Sequence, residues 1–379
     1  MINFFKKKPQ DASDLLKKAL DGVRLDVREG ARLYRQADWH ELGQTASILS
    51  ARRVPGSSDR ATFVVDRNIN YTNVCHTECR FCAFYRHRGH SESFRLTLGD
   101  IFKKIEELVR IGGTQVMLQG GLDPELGIDF YETMTRAVKN RFPKVHIHSY
   151  SAPEIAHLSK ISGLSFKETL KRLKDAGLNS LPGGGAEILV DRVKQRVSPA
   201  KLSTQGYLQV HRACHELGMH STLTMVYGLG ETIEERIEHL EVCRQLQDQT
   251  QGVLAFIPWN FESDATQLPT PPSTAIEYLK MVAISRIYLD NIPHIQAGCV
   301  TEGLKIGPMA LSFGADDFGG ILMEENVIRA TGKPQFCLSV SEARRLIEDL
   351  GKKPIQRDTN YHRVYHGVAM GSGTCLTRA

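Results

Sequence analysis

A closed (β/α)8 barrel with a helical N-terminal extension and a short C-terminal extension is the fold that this 379-residue sequence predicts. Three observations carry it. Apolar, β-prone runs recur eight times, helix-period segments separate them, and glycines stand where several of those helices should stop.

Residues 1–60 read as a polar, helical extension. Leu15, Leu16, Ala19 and Leu20 form one apolar stripe, and Leu42, Ala46, Ile48 and Leu49 another. The run Val54-Pro55-Gly56-Ser57-Ser58 breaks the pattern as a turn or linker. The barrel is expected over residues 61–330. Its strands are read at Phe63–Tyr71, Thr114–Gln119, Val145–Tyr150, Leu178–Pro182, His220–Tyr227, Val253–Pro258, His294–Cys299 and Ala315–Phe318. Ile101, Ile105, Leu108 and Val109 mark one intervening helix; Phe166, Leu170 and Leu173 mark a second; Ile276, Leu279, Ala283 and Ile287 mark a third. Gly112, Gly177 and Gly218 fall where helices end. Alternating strands and helices imply a parallel sheet with right-handed crossovers, and eight units favour closure. An open, doubly wound sheet is the competing arrangement, because the eighth strand is short. Residues 331–379 hold one expected helix, Ser341–Leu350, followed by a loose Gly-rich tail.

Composition narrows the function. Forty-eight Lys and Arg against 43 Asp and Glu leave a net charge of only +5, spread along the chain. The one dense basic run, Lys6 to Lys8, reads as a solvated tail, so no nucleic-acid partner is expected. No run of about 18 apolar residues and no secretory h-region occur, which argues against a membrane and for the cytoplasm. Thiols stay reduced there, so the eight cysteines read as metal ligands or small buried residues rather than disulfides.

Three of them lie together in Cys75-His-Thr-Glu-Cys79-Arg-Phe-Cys82, just after the first strand and so at the catalytic end of a barrel. Three thiolates on one loop can each ligate one iron of a cubane, leaving the fourth iron without a protein ligand. A zinc site would want a fourth ligand, which His76 or His87 could formally supply. Cys214, Cys243, Cys299, Cys337 and Cys375 stand singly, so no second cluster is expected.

The stretch NYTNVCHTECRFCAFYR, with its C-x3-C-x2-C loop after strand one, resembles the signature of the radical S-adenosylmethionine superfamily. The resemblance implies a [4Fe–4S] cluster on Cys75, Cys79 and Cys82 and S-adenosylmethionine chelated to the open iron. It also implies reductive cleavage of the sulfonium to a 5′-deoxyadenosyl radical, with a low-potential donor such as flavodoxin or ferredoxin as electron partner. Gly120 and Gly121, after strand two, resemble the family's segment that hydrogen-bonds the methionyl amino group; Gly-Gly alone would simply be a turn. Tyr85 matches the position that packs on adenine, and barrel-mouth core is its alternative. Glu187, after three glycines at the end of strand four, resembles the acid that binds the ribose hydroxyls or the amino group. Arg196 could pair the methionyl carboxylate, or be a surface helix charge beside Arg192 and Lys194.

HSYSAPEI at 148–155, SLPGGGAEILVDRV at 180–193, AFIPW at 255–259, LDNIPHIQA at 289–297 and FGADDFGG with MEENV at 313–327 resemble one clade. That clade holds the futalosine-pathway enzymes of menaquinone biosynthesis and the enzymes that make the deazaflavin FO. Within it the combination is most similar to the cyclic dehypoxanthine futalosine synthases. The activity implied is radical cyclisation begun by hydrogen abstraction from the substrate's sugar. Aminofutalosine synthase and an FO synthase subunit are alternatives on the same scaffold, and a non-catalytic metal-binding barrel is the remote one. Glu231, Asp290, Asp316 and Asp317 are the candidate bases, and His148, Ser149, Tyr150, Ser151 and Trp259 the candidate substrate contacts. Strand alternation means that about half of residues 148–151 must face away from the pocket. Lys305 and Arg329 are candidate carboxylate binders.

Overall fold

The computed structural model describes residues 11–333 and 338–364. Cys337, Cys375, the lysine run at 6–8 and most of the expected loose tail lie outside them. The barrel begins with one bent strand in two halves. β1 (Arg60–Val64) passes through Val65 into β2 (Asp66–Ile69), which pairs with β3 (Gln115–Leu118), and β3 with β4 (His146–Ile147). A bridge from His148 to Ser180 joins β4 to β5 (Ser180–Leu181). Pairing continues through β6 (His220–Tyr227), β7 (Val253–Asn260) and β8 (His294–Ile295). The bridge Gln296–Asp317 then reaches β9 (Asp317–Gly320), which returns to β1. Every pairing around the ring is parallel and the ring returns to its first strand, so the open-sheet alternative falls.

Helices α1 (Ala12–Leu20), α2 (Val27–Gln36) and α3 (Trp39–Arg53) precede the barrel. Those that follow are α4 (Leu98–Arg110), α5 (Ile128–Arg141), α6 (Ala152–Ser162), α7 (Phe166–Ala176), α8 (Asp191–Val197), α9 (Thr204–Glu216), α10 (Ile233–Thr250), α11 (Ala275–Tyr288), α12 (Cys299–Ile306) and α13 (Val340–Glu348). Thr97, Ser151, Ser165, Thr232 and Ser339 each open a helix with a reciprocal capping box, which satisfies N–H groups that the helix itself cannot. The N-terminal helices brace the outside of the barrel. Gly30 of α2 leaves no room for a side chain against Ile237 of α10 and Tyr288 of α11, while Gly43 of α3 abuts the Phe313 ring.

The outward faces of the strands make the core. Val116, Leu118, Ile147, Leu181, Leu223, Met225 and Phe256 are fully buried and share one continuous cluster with Leu108, Tyr131, Leu158, Leu170 and Leu240 of the helices. The inward faces differ. Met117, Gln119, Thr222, Val226, Trp259, His294 and Gln296 are only partly buried, although they lie on the barrel strands or their immediate continuations. A barrel filled by layers of branched side chains would bury these positions completely. Here they line a polar lumen.

Behind the expected C-terminal helix, Lys353–Arg357 forms β10, laid parallel against β1. The sequence reading assigned this segment to the loose tail. Arg357 grips Asp317 from the floor of the barrel, with Nη2 2.9 Å from Oδ1, and Thr62 Oγ1 donates to the same carboxylate at 2.5 Å. Thr359 Oγ1 donates to Gln115 Oε1 at 2.7 Å, so this segment also holds the base of β3. Arg357 is 4% exposed and Asp317 is 0% exposed, so removing the cation would strand a buried carboxylate. We expect Arg357→Leu to lower the free energy of unfolding by about 3–5 kcal/mol. Urea unfolding of the two proteins checks it, and an unchanged midpoint would show that this tie does not hold the floor.

Candidate active site

The cysteine loop leaves the top of β2 and turns at Glu78, which has a φ of 47°. Thr77 Oγ1 lies 3.0 Å from Cys75 Sγ and 3.5 Å from Cys79 Sγ, while the backbone N–H groups of Phe84 and Tyr85 point to the Cys82 sulfur. Burial raises the Cys79 and Cys82 thiols above their ordinary range, and Lys201 opposes the rise at both. Hydrogen-bond donors at sulfur and a nearby ammonium both favour the thiolate form that binds metal. His76 does not join the trio: its ring Nδ1 is 2.7 Å from the Leu122 carbonyl oxygen. His87 is exposed, 3.8 Å from Glu78.

Gly120 and Gly121 press against that loop. A side chain at Gly121 would strike the Val74 carbonyl oxygen and Cys75 Cβ, and one at Gly120 would come within 2.6 Å of the Tyr71 ring. The Gly120 N–H donates to Glu154 Oε1 at 3.1 Å. Glu154 is buried and also accepts from Tyr71 Oη at 2.6 Å, so α6 holds the diglycine turn in place.

Glu187 follows the triple glycine, with a φ of 44° and 3% exposure. Two ammonium groups reach it, Lys194 at 3.3 Å and Lys201 at 3.1 Å. They hold the carboxyl below its usual range although burial alone would raise it. Arg196 is not among them; it lies exposed on α8 with Nη1 3.4 Å from the Gly230 carbonyl oxygen. Tyr85 is half-buried at the lip, where its hydroxyl accepts from Gln267 Nε2 at 3.2 Å.

Of the four residues at 148–151, one faces the lumen with a ring nitrogen toward another strand's polar group. His148 Nδ1 is 2.6 Å from Ser180 Oγ and Nε2 is 3.4 Å from Thr222 Oγ1; burial pushes its pKa down to about 3, so the ring is neutral. Ser149 accepts from the Leu118 N–H at 2.8 Å and serves the sheet. Tyr150 turns outward, its hydroxyl 2.6 Å from Thr135 Oγ1 of α5, and Ser151 caps α6. Trp259 aligns with Val226 on the lumen side, and its buried indole N–H has no partner among the described residues. Phe256, in the opposite register, faces His239 of α10.

The four candidate bases are corrected by position. Asp316 and Asp317 lie where β9 begins, at the floor, bound to Arg286 with His294 and to Arg357 respectively. Asp290 precedes β8 and pairs with Arg24 at 2.9 Å. Glu231 does stand above β6, but its oxygens accept the N–H groups of Gly228 and Leu229 and bind Arg236. Lys305 and Arg329 are exposed. Two carboxyls that the sequence reading passed over hold displaced protons. Asp66 lies one residue before the outward Arg67 and so points inward, level with Gln115 at the base of β3, where its Oδ1 accepts from the Leu322 N–H at 3.1 Å and burial raises it to about 7. Glu302 of α12, near Glu262 and Glu277, is raised by burial to about 8, and its Oε1 has no partner among the described residues.

A trio of thiols at the C-terminal mouth of a closed parallel barrel, backed by a diglycine turn and a buried acid–lysine pair, defines a cluster-dependent barrel enzyme. Residues 69–243 match the model of the radical SAM superfamily, and residues 250–368 match that of the CofH/MqnC C-terminal region. The chain belongs to the radical S-adenosylmethionine superfamily. It is 42% identical to the cyclic dehypoxanthine futalosine synthase of Halalkalibacterium halodurans, over 92% of this chain and 93% of that one. It is also 42% identical to the enzyme of the same name from Streptomyces coelicolor, over 94% and 90%. The aminodeoxyfutalosine synthase of Thermus thermophilus is 35% identical over 92% and 95%. Among solved structures, methylornithine synthase superposes with a TM-score of 0.70 at 18% identity, covering 90% of this chain and 97% of that one. The FeFe-hydrogenase maturase HydG of Carboxydothermus hydrogenoformans gives 0.74 at 17%, covering 92% and 80%.

The family uses a [4Fe–4S] cluster and S-adenosylmethionine, and the residues present fit both. The loop supplies three thiols, with the Thr77 hydroxyl beside Cys75 and Cys79 and backbone N–H groups at Cys82, and the adjoining glycines leave backbone where a Cβ would collide. Among the described residues no three His, Cys, Asp or Glu groups gather around a single ion; a cubane instead spreads its ligands over three irons.

Two outcomes test this arrangement. Replacing Cys75, Cys79 or Cys82 by Ala should remove the iron bound after anaerobic reconstitution, about four per chain in the parent. Cys214→Ala, at a buried thiol on α9, should keep it; iron retained by all three loop variants would refute the assignment. The second concerns Glu302. Its folded form keeps a proton that the unfolded carboxyl releases above its ordinary 4.5, so stability is lost as pH rises from there through about 8. Glu302→Gln should therefore gain in melting temperature over the parent at pH above 8 and show a smaller difference at pH near 4.5.

Proposed function

We propose that this chain catalyses the radical cyclisation of dehypoxanthine futalosine to its cyclic spiro product in menaquinone biosynthesis. The observation that carries the reading is the 42% identity, across more than nine-tenths of the chain, to two cyclic dehypoxanthine futalosine synthases from different organisms. When bound, the cluster and S-adenosylmethionine supply one-electron sulfonium cleavage and a carbon radical that takes a hydrogen atom from the substrate.

The chain's own residues then bind, orient and exclude water. Cys75, Cys79 and Cys82 hold the cluster; Gly120, Gly121, Glu187 and Tyr85 surround the methionyl and adenosyl portions. His148, kept neutral by burial and held at Nδ1 by Ser180, turns Nε2 toward Thr222 and the lumen, where a sugar hydroxyl would meet it without added charge. Trp259 walls the aryl group and has an indole N–H available for an acceptor on the substrate. A low-potential one-electron donor, flavodoxin or ferredoxin, is the partner this chemistry needs. The cytoplasm, where thiols stay reduced, is its compartment. No helix among the described residues is long and apolar enough to cross a membrane.

The relatives' different names set the test. Substrate deuterated at the sugar C4′ should pass deuterium to 5′-deoxyadenosine, with methionine formed in equal amount and a product two hydrogens lighter than the substrate. Incorporation of the adenosyl carbon into product, or turnover of an enolpyruvyl benzoate alone, would move this protein to the aminofutalosine reaction.

A further inference from the structure

We propose that the Lys201 ammonium sets the reduction potential of the iron–sulfur cluster, making the reduced state easier to reach. The argument starts from a charge imbalance. Glu187 brings one buried negative charge, and Lys194 and Lys201 bring two positive ones. Lys194 is spent on local structure: its ammonium also donates to the carbonyl oxygens of Gly185 at 3.0 Å and Ala186 at 3.3 Å, stitching the turn after the triple glycine. Lys201 points the other way. Its Nζ stands 4.9 Å from the centre of the Phe81 ring, which lies in the loop between Cys79 and Cys82. It is also the strongest positive charge acting on both of those thiols.

A surplus, partly buried cation beside the Cys79 and Cys82 thiols demands a counter-charge. A [4Fe–4S]2+ core with three thiolates supplies one net negative charge, and one added electron makes it two. A fixed positive charge in a partly dry site attracts the doubly charged state more strongly, so it favours uptake of that electron. Tight salt-bridging to Glu187 keeps the ammonium in position, and the Phe81 ring accepts it on its π-face without neutralising it.

The experiment uses the full-length, anaerobically reconstituted holoenzyme as Lys201→Met and Lys201→Arg beside the parent. Each is poised with dithionite and mediators at the potential where the parent cluster is half reduced, and the reduced cluster is counted by electron paramagnetic resonance. The electron comes from dithionite and converts [4Fe–4S]2+ to [4Fe–4S]+. Lys201→Met should show a reduced-to-oxidised ratio lower by about tenfold, which is about 59 mV for a one-electron couple. Lys201→Arg, which keeps the charge, should stay within about twofold of the parent ratio, a shift of under about 20 mV on the same scale. If Lys201→Met fails to hold iron, Lys201→Gln, which keeps a donor for Glu187, takes its place. A parent-like ratio in an iron-replete neutral variant overturns the proposal. So does loss of iron from both neutral variants, which would make Lys201 a structural counter-ion of the loop. A parent-like ratio with weakened S-adenosylmethionine binding would instead assign the ammonium to the cofactor's carboxylate.

Discussion

A barrel with a polar lumen cannot be held together from inside, and the rest of this structure follows from that constraint. Gln119, His148, Thr222 and Gln296 face inward at positions that aliphatic layers fill in a packed barrel. Cohesion has moved outward and downward. The outward strand residues and the helices share one apolar cluster, and the N-terminal helices thicken it against α10 and α11. At the floor, ion pairs of Arg286 with Asp316 and Arg357 with Asp317 tie β9 to α11 and β10. The C-terminal strand is thus part of the barrel's closure, and the lumen above it is left open for chemistry.

The mouth obeys a second rule, close backbone approach. The diglycine turn presses on the cysteine loop and the triple glycine on its own neighbours where side chains would intervene, and each glycine turn is backed by a buried acid: Glu154 behind Gly120, Glu187 after Gly185. Both acids are satisfied by partners named on neighbouring elements, Tyr71 and Ser151 for the first, Lys194 and Lys201 for the second. Backbone held this firmly gives a cofactor fixed donors and acceptors that need little reorganisation during reaction.

Much of this was legible in the amino-acid order. All eight strand regions and the cysteine loop fall where the apolar runs and the C-x3-C-x2-C spacing put them, because parallel strands buried on their outer face are strongly patterned. What failed has physical causes. Asp290, Asp316 and Asp317 are candidate bases by residue type, yet each stands at or before the start of a strand, and strand starts face the floor. Tyr150 escapes the lumen through its own positive φ of 62°. β10 reads Lys-Pro-Ile-Gln-Arg, too short and polar to announce itself, and only the carboxylate it answers, Asp317, explains it. Asp66 was within reach: an outward Arg67 forces its neighbours inward by simple alternation.

Relatives with different printed activities share this chain's length at 35–42% identity. A common cysteine loop can serve them all only if generation of the radical is separable from its use. The geometry separates them. The charge that bears on the thiols comes from the segment after strand β5, through Glu187, Lys194 and Lys201. The groups facing the lumen come from other strands: His148 beyond β4, Thr222 from β6 and Trp259 from β7. Substitution at a lumen position can therefore change which substrate atom is presented while leaving the charge around the thiols intact. Fold and cluster chemistry come with the shared scaffold, and these inward side chains stand on strands away from that charge, where a change of residue would alter what a substrate meets.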